Sequence, residues 1–433
     1  MEKTFWFYLE PYVHTSHKAS DSLLYNSLSG KHIVCRDKPK VSKILRRLSR
    51  STNQRVIRLG PTEMTDQEVC DFIEKVRESY MGDILNTAYS SGKPALMPQR
   101  PKLEKGTKSL KKEKGRSVGE GVLEYLLQLS IHVNSQCREK CEGCSGYYRQ
   151  FSCCTRMPTG TEELELSTIS DLLNQIEWSS VSLVNIMGGD IFLYNGLKPL
   201  VELLKSKTFE THFYLHYLHL GKCPGDISTL SFDKSRITIM VSPSYSQGLL
   251  AKALDKAFQA KPETKVLFVV ESEEDTGRAE EFISATGLSS YAYKPFFNGK
   301  NRSFFEHNVF MDMEDIFKAR PTQREIYANM ILNRLQFGRL TVLSNRKVYA
   351  NLNAPSLGTL DEEDIYQVLY REMDRGKSWL QTRGKVEPCR RCILNALCPP
   401  LGNYEKVLRR NDLCRVSRHL HKGAKDSRVL GFK

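Results

Sequence analysis

At 433 residues the chain is longer than one ordinary hydrophobic core serves and suits two or three modules. Hydrophobic residues form 40% and charged residues 26% of it, globular values that exclude disorder along the whole length. A net charge of +14 steers phosphate backbones, acidic peptides or anionic lipid towards it. Much of that charge sits in one stretch, KPALMPQRPKLEKGTKSLKKEKGRSVGEG, and not in a groove interleaved with aromatics, which argues against a nucleic-acid partner.

The opening MEKTFWFYLEPYV has neither the apolar run nor the small-residue cleavage site of a signal peptide, and no apolar stretch reaches the length of a membrane span. The expectation is a cytoplasmic protein without a membrane partner. In that reducing compartment twelve cysteines point to metal or redox chemistry before disulfides.

Residues 1–88 alternate short extended segments, FWFYLEPYV, SDSLLYN and KHIVC, with a turn at Ser29-Gly30, a helix over 41–48 and a strand in QRVIRLG. Thr65 is the expected cap of a helix in MTDQEVCDFIEKVRESYM. Residues 89–121 lack periodic apolar positions and read as a basic flexible linker. From 122 to 320 strands and helices alternate: YLLQLSIHV, a helix near 166–177, SLVNIM, LKPLVELLKSK, THFYLHYLH, RITIMVS, LLAKALDKAFQ, KVLFVVE, GRAEEFISATG and YAYKPF. Six such repeats are too few for a closed eight-stranded barrel. They predict an α/β fold with an open partial (β/α)6 barrel whose active site lies at the strand carboxyl ends. Residues 321–433 break the rhythm with a hairpin in RLTVLSNRKVYANL, a helix over 365–373 and a cysteine-rich loop region, and form a third module.

Directly after the first barrel strand, VNSQCREKCEGCSGYY offers Cys137, Cys141 and Cys144. Three thiolates from one loop leave one iron of a four-iron cubane without a protein ligand. A zinc site completed by Cys153 or Cys154 is the alternative, but the end of the first strand is where the chemical site of an α/β repeat lies. After the next strand comes NIMGGD, in which Gly188 and Gly189 permit close backbone approach and Asp190 follows; a tight turn explains a lone Gly-Gly-Asp equally well. Ser242, in VSPSY, has the same two readings, a ligand contact or a turn-forming Ser-Pro. In the last module EPCRRCILNALCPP and the later Cys414 supply Cys389, Cys392, Cys398 and Cys414, enough to saturate a 4Fe-4S cluster or one zinc. Cys35, Cys70 and Cys223 sit in apolar patterns and read as core, while Cys153 and Cys154 have no other assigned role.

CREKCEGC resembles the three-cysteine signature of the radical S-adenosylmethionine (SAM) superfamily, and the repeats over 123–298 are similar to its partial barrel. The resemblance implies a SAM-cleaving 4Fe-4S cluster on Cys137, Cys141 and Cys144. It also implies SAM contacts from Gly188, Gly189 and Asp190, the last standing where the superfamily usually has Glu, and from Ser242 near the ribose. Where an aromatic residue usually precedes the third cysteine this chain has Gly143, with Tyr147 and Tyr148 close behind. The C-terminal cysteines and VLSNRKVYANLNAPSLGTL resemble the SPASM extension of peptide-modifying members. Asn351 and Gly402 stand where further cysteines would be, which leaves one auxiliary 4Fe-4S cluster. Residues 1–88 look like a winged-helix peptide-recognition module, in which a leader peptide adds a strand to a hairpin edge.

Taken over its length, the chain resembles maturase-like proteins encoded with Gly-Gly-motif precursor peptides in Bacteroidales, a group that includes pseudo-radical-SAM proteins. The expected activity is reductive cleavage of SAM to a 5′-deoxyadenosyl radical that installs a thioether, carbon-carbon crosslink or related change on a precursor peptide. The electron would come from a donor such as flavodoxin or ferredoxin. No side-chain acid, base or nucleophile is assigned. A noncatalytic, cluster-containing peptide-binding partner is the alternative, and an RNA-modifying radical SAM enzyme a third reading.

Overall fold

The structure, a computed structural model, describes residues 3–90, 92–95, 121–157, 163–221 and 226–416. Cys223 and most of the expected linker lie outside them. The first module is built from β1 (Phe5–Leu9), β2 (Val13–Lys18), β3 (Asp21–Asn26), β4 (His32–Cys35), β5 (Val56–Leu59) and β6 (Gly82–Asn86). They make two antiparallel sheets in the orders β5-β1-β6 and β2-β3-β4. The helices Pro39–Leu48 and Gln67–Glu78 turn Val41, Ile44, Leu45, Phe72, Ile73 and Val76 into the core that Phe7, Leu9 and Leu59 share. Asp66, not Thr65, caps the second helix, because its carboxylate accepts from the N–H of Val69. Sequence reading passed over β2, whose VHTSHK is too polar to signal a strand alone; it pairs with β3 over six residues.

The large sheet has the order β12-β11-β10-β9-β8-β7-β13-β14-β15. Its strands are β7 (Gln128–His132), β8 (Leu183–Met187), β9 (Glu210–His216), β10 (Ser235–Val241), β11 (Lys265–Val270), β12 (Tyr291–Pro295), β13 (Arg339–Val342), β14 (Lys347–Tyr349) and β15 (Gly358–Thr359). Every pair from β12 to β13 is parallel, and the last two are antiparallel. Near-continuous burial along β7, β8 and β10 is what a parallel sheet covered on both faces requires. The connecting helices bury one stripe each: Gln247–Ala260 turns Leu250, Ala253, Leu254 and Ala257 inward at helical spacing. The helix Glu273–Thr286 starts at Ser272, whose hydroxyl accepts from the N–H of Asp275, and stops at Gly287 with φ of +67°.

β13 adds a seventh parallel strand to the six read from the sequence. Its Arg339–Val342 pairs with Gln128–Ile131 of β7, so the hairpin expected in the third module extends the main sheet. Without β13, the outer hydrogen-bonding groups of β7 would lack a strand partner. A further apolar cluster joins the first module to the last: Leu23 and Tyr25 of β3 pack with Ile316, Phe317, Ile326, Ile393 and Leu394. The His32 ring stacks on Phe317 with centroids 3.5 Å apart. No helix among the described residues is long and apolar enough to cross a membrane.

Candidate functional site

The cysteine loop leaves β7 after His132, which pairs with Met187 at the end of β8. Beyond these two residues the strands run on as loops laced together. Gly189 N–H donates to the carbonyl of Asn134 at 3.3 Å and to its side-chain oxygen at 3.1 Å, and Asp190 N–H donates to the carbonyl of Gln136 at 2.7 Å. Asn134 Nδ2 donates back to the carbonyl of Asp190 at 2.9 Å. A Cβ on Gly189 would lie 2.0 Å from the oxygen of Gln136, and one on Gly188 2.7 Å from Oδ1 of Asn134. The glycines are there because two backbones meet, and the Gly-Gly-Asp turn is a wall of the cysteine loop.

The Asp190 carboxylate is buried. It accepts from Phe192 N–H at 3.1 Å and faces Nδ1 of His219 at 3.7 Å. Burial holds His219 below the ordinary imidazole range, with Asp190 opposing. The other ring nitrogen of His219 lies 3.5 Å from Sγ of Cys137. His216, the last residue of β9, sets its Nε2 and Nδ1 3.7 and 3.9 Å from Sγ of Cys141; such equal distances mean that neither N–H is aimed along the contact. Sequence reading took both histidines as strand residues. The signal was their spacing, two imidazoles three residues apart at a strand's carboxyl end.

All three loop thiols are partly buried and free of disulfides. Burial pushes Cys137 up to about 11, with Asp190 and Cys144 adding to it, and Cys141 up to about 12, with Cys144 and Cys137 adding. Cys144 is raised as well, although Arg156 opposes. At neutral pH the loop carries thiols, and a metal centre must displace their protons to bind. Gly143, with φ of +77°, starts the short helix Cys144–Tyr147. Tyr147 is 1% exposed, donates its hydroxyl to the carbonyl of Glu142 at 2.8 Å and packs edge-on against Phe296, so it belongs to the core. Tyr148 lines an open cavity.

Ser242, just beyond β10, stands at the same carboxyl edge two strands from β8 and makes no hydrogen bond to the loop residues. Cys153 and Cys154 are buried with Phe151, Met240, Val269 and Phe296, and the Cys153 thiol pairs with the Thr155 hydroxyl. Cys35 is buried in the first module's core, and Cys70 donates to the carbonyl of Met64 at 3.0 Å.

Cys389, Cys392, Cys398 and Cys414 line one largely apolar cavity with Met311, Ile316 and Leu413. Burial raises Cys389, Cys392 and Cys398, Cys392 to about 11. Arg383 reaches the same cavity: its Nη1 lies 3.7 Å from Sγ of Cys389, and its Nη2 bonds the buried carboxylate of Glu405 at 2.6 Å. Four thiols beside a fixed guanidinium suit a centre that carries net negative charge when bound. Asn351 and Gly402 come to one place. Asn351 Nδ2 donates to Oδ1 of Asn403, the neighbour of Gly402, at 2.7 Å and to Oε1 of Gln336 at 3.0 Å. No group of three or more His, Cys, Asp or Glu among the described residues is arranged to hold a single metal ion.

In the first module a groove of about 780 Å³ runs beside β5, an edge strand, and is lined by Lys43, Arg46, Arg47, Arg50, Arg58 and Lys93 without a carboxylate.

No family model matches the chain, and no curated protein does. Among solved structures it is similar, distantly, to three crystal structures of SuiB from Streptococcus suis. The one bound to S-adenosylmethionine gives a TM-score of 0.44 at 12% identity, covering 94% of this chain and 97% of that chain. A second SuiB structure gives 0.42 at 12% identity over the same shares, and the one bound to precursor peptide SuiA gives 0.39 at 13%, covering 94% and 98%.

Proposed function

We propose that the chain is a radical SAM enzyme that modifies a ribosomally made precursor peptide. The observation that carries this reading is the placement of Cys137, Cys141 and Cys144 on one loop at the carboxyl edge of the parallel sheet, walled by the Gly188–Asp190 turn. Three clustered, protonated thiols fit a 4Fe-4S cluster with one iron left open, and Cys389, Cys392, Cys398 and Cys414 fit one auxiliary cluster. When bound, the first cluster supplies the electron that cleaves SAM to methionine and a hydrogen-abstracting 5′-deoxyadenosyl group.

The chain's own part is to place and shield. Gly188, Gly189, Asp190 and Ser242 would hold SAM along the sheet edge, and the loop's buried surroundings keep water from the reacting carbon. The basic groove beside β5 supports a peptide partner with acidic side chains, taken as an added strand in the module 1–88.

One observation favours the second reading, a noncatalytic peptide-binding partner. The N–H groups of Gly189 and Asp190 are already used inside the protein, and the Asp190 carboxylate serves Phe192 and His219.

Anaerobic reconstitution separates the two. Two cubane clusters give about eight iron and eight sulfide per chain, and Cys137→Ala leaves about four of each. With dithionite and SAM, the enzyme forms 5′-deoxyadenosine and Cys137→Ala does not; a wild-type yield equal to that of the variant removes the catalytic reading.

A further inference from the structure

A cavity of about 370 Å³ opens on the main sheet, lined by residues of β7, β8, β12 and β13 and by the segments around Gln150 and Asn403. That β12 and β13, the two ends of the parallel run, both reach it shows that the sheet curves around the space. Two lining side chains are cationic, Lys294 on β12 and Arg339 on β13, and none is acidic. Lys294 Nζ lies over the rings of Phe151 and Tyr404, 5.7 and 5.6 Å from their centroids, and a second cation, Lys265, opposes its charge. The phenol of Tyr214 neighbours Arg339. Among the described residues neither cation has an ion pair. His132, buried on β7, lines the same cavity, and its Nδ1 has no hydrogen-bond partner.

Lys294 is half-buried without a counter-charge and Arg339 is solvent-exposed on the same cavity, so an anion entering from outside meets two cations and no competing carboxylate. The volume suits a ligand of side-chain to small-molecule size. A guanidinium fork and an ammonium together satisfy both oxygens of a carboxylate. On the wall Asn351 Nδ2 bonds the side-chain oxygens of Gln336 and Asn403, which leaves the amide nitrogens of those two residues as donors for a peptide carbonyl.

From this geometry we infer that Lys294 and Arg339 form a site for the carboxylate of an aspartate or glutamate side chain in a bound peptide, seated in the cavity that β7, β12 and β13 line. The inference rests on the reading of a peptide as substrate, and it adds that the segment entering the cavity is acidic.

The test uses the full chain and N-acetyl-L-glutamate N-methylamide as probe, against its glutamine counterpart and inorganic phosphate, by titration calorimetry. The glutamate probe should bind at least about tenfold tighter than the glutamine probe, and Lys294→Met and Arg339→Met should each weaken it by about tenfold or more. Lys294→Arg should retain binding. Lys294→Met should melt no lower than wild type, since it removes a half-buried charge without a counter-ion, and Arg339→Met, at an exposed position, should melt as wild type does. Equal binding of the two probes, binding unchanged in both methionine variants, phosphate preferred through the same residues, or displacement of the probe by SAM would each overturn the site. Turnover does not enter: glutamate binding lost in the variants, with no 5′-deoxyadenosine from wild type, leaves this site standing while the enzyme reading falls.

Discussion

Gly143 faces the ring of Tyr147 so closely that a Cβ built on it would lie 2.8 Å from Cε1. With φ of +77° as well, the position before the third cysteine admits glycine and excludes the aromatic residue that the superfamily resemblance expects there. Gly143→Phe should therefore lower stability by about 1–3 kcal/mol in urea unfolding of the apoprotein. A variant as stable as wild type would show that the loop has another conformation at hand.

Gly189 is held more tightly still, between the backbone of Gln136 and Cβ of Cys137 at 3.0 Å. Gly189→Ala should cost about 3 kcal/mol and bring reconstituted iron down towards the content of Cys137→Ala. Gly277, in the helix Glu273–Thr286 with nothing within 4 Å, provides the control. Gly277→Ala should hold or raise stability, by up to about 1 kcal/mol.

The Arg383–Glu405 pair is buried on both sides, its side chains 6% and 8% exposed. Glu405→Gln leaves the guanidinium without its counter-charge, and Arg383→Met leaves the carboxylate, so each should cost about 3–5 kcal/mol. The double variant should lose less than the sum of the two, read from a denaturation cycle at pH 7. Strict additivity would mean that the two groups do not couple.

His132 gives a pH dependence with a defined sign. Burial pulls its folded pKa down to about 4 from 6.5, so the unfolded chain binds the proton first. The stability tied to its neutral form is present above pH 6.5 and declines as pH falls from 6.5 to about 4. Relative to His132→Leu, wild type should lose about 2–3 kcal/mol between pH 7 and pH 4.5. Parallel curves for the two proteins over that range would contradict the burial of an ionisable ring.

The cysteine loop and the Gly-Gly-Asp turn were legible in the sequence because their chemistry is local: thiols a few residues apart, and glycines directly after a strand. The alternation of strands and helices from β7 to β12 was legible too, since a sheet buried on both faces makes apolar runs that polar helices punctuate. What the chain brings together across distance was not. His219 meets Cys137 across 82 residues and His216 meets Cys141 across 75; the spacing of the two histidines marks a strand end but not which thiols they meet. The pairing of β13 with β7 was hidden for the same reason, because a parallel partner leaves no turn signal between the strands. Lys294 and Arg339 each read as an ordinary charged residue on a strand until the curved sheet puts them around one space.

Leu23 and Tyr25 near the start of the chain, wholly buried, find their cover in Ile393 and Leu394 close to its end. During synthesis those two side chains emerge first and wait on the order of tens of seconds for the segment that shelters them. Over that interval the newborn protein exposes a sticky strand that holdase chaperones favour. A fragment ending after residue 95 would carry that exposure permanently, so producing the front of the molecule by itself invites aggregation where the whole chain does not.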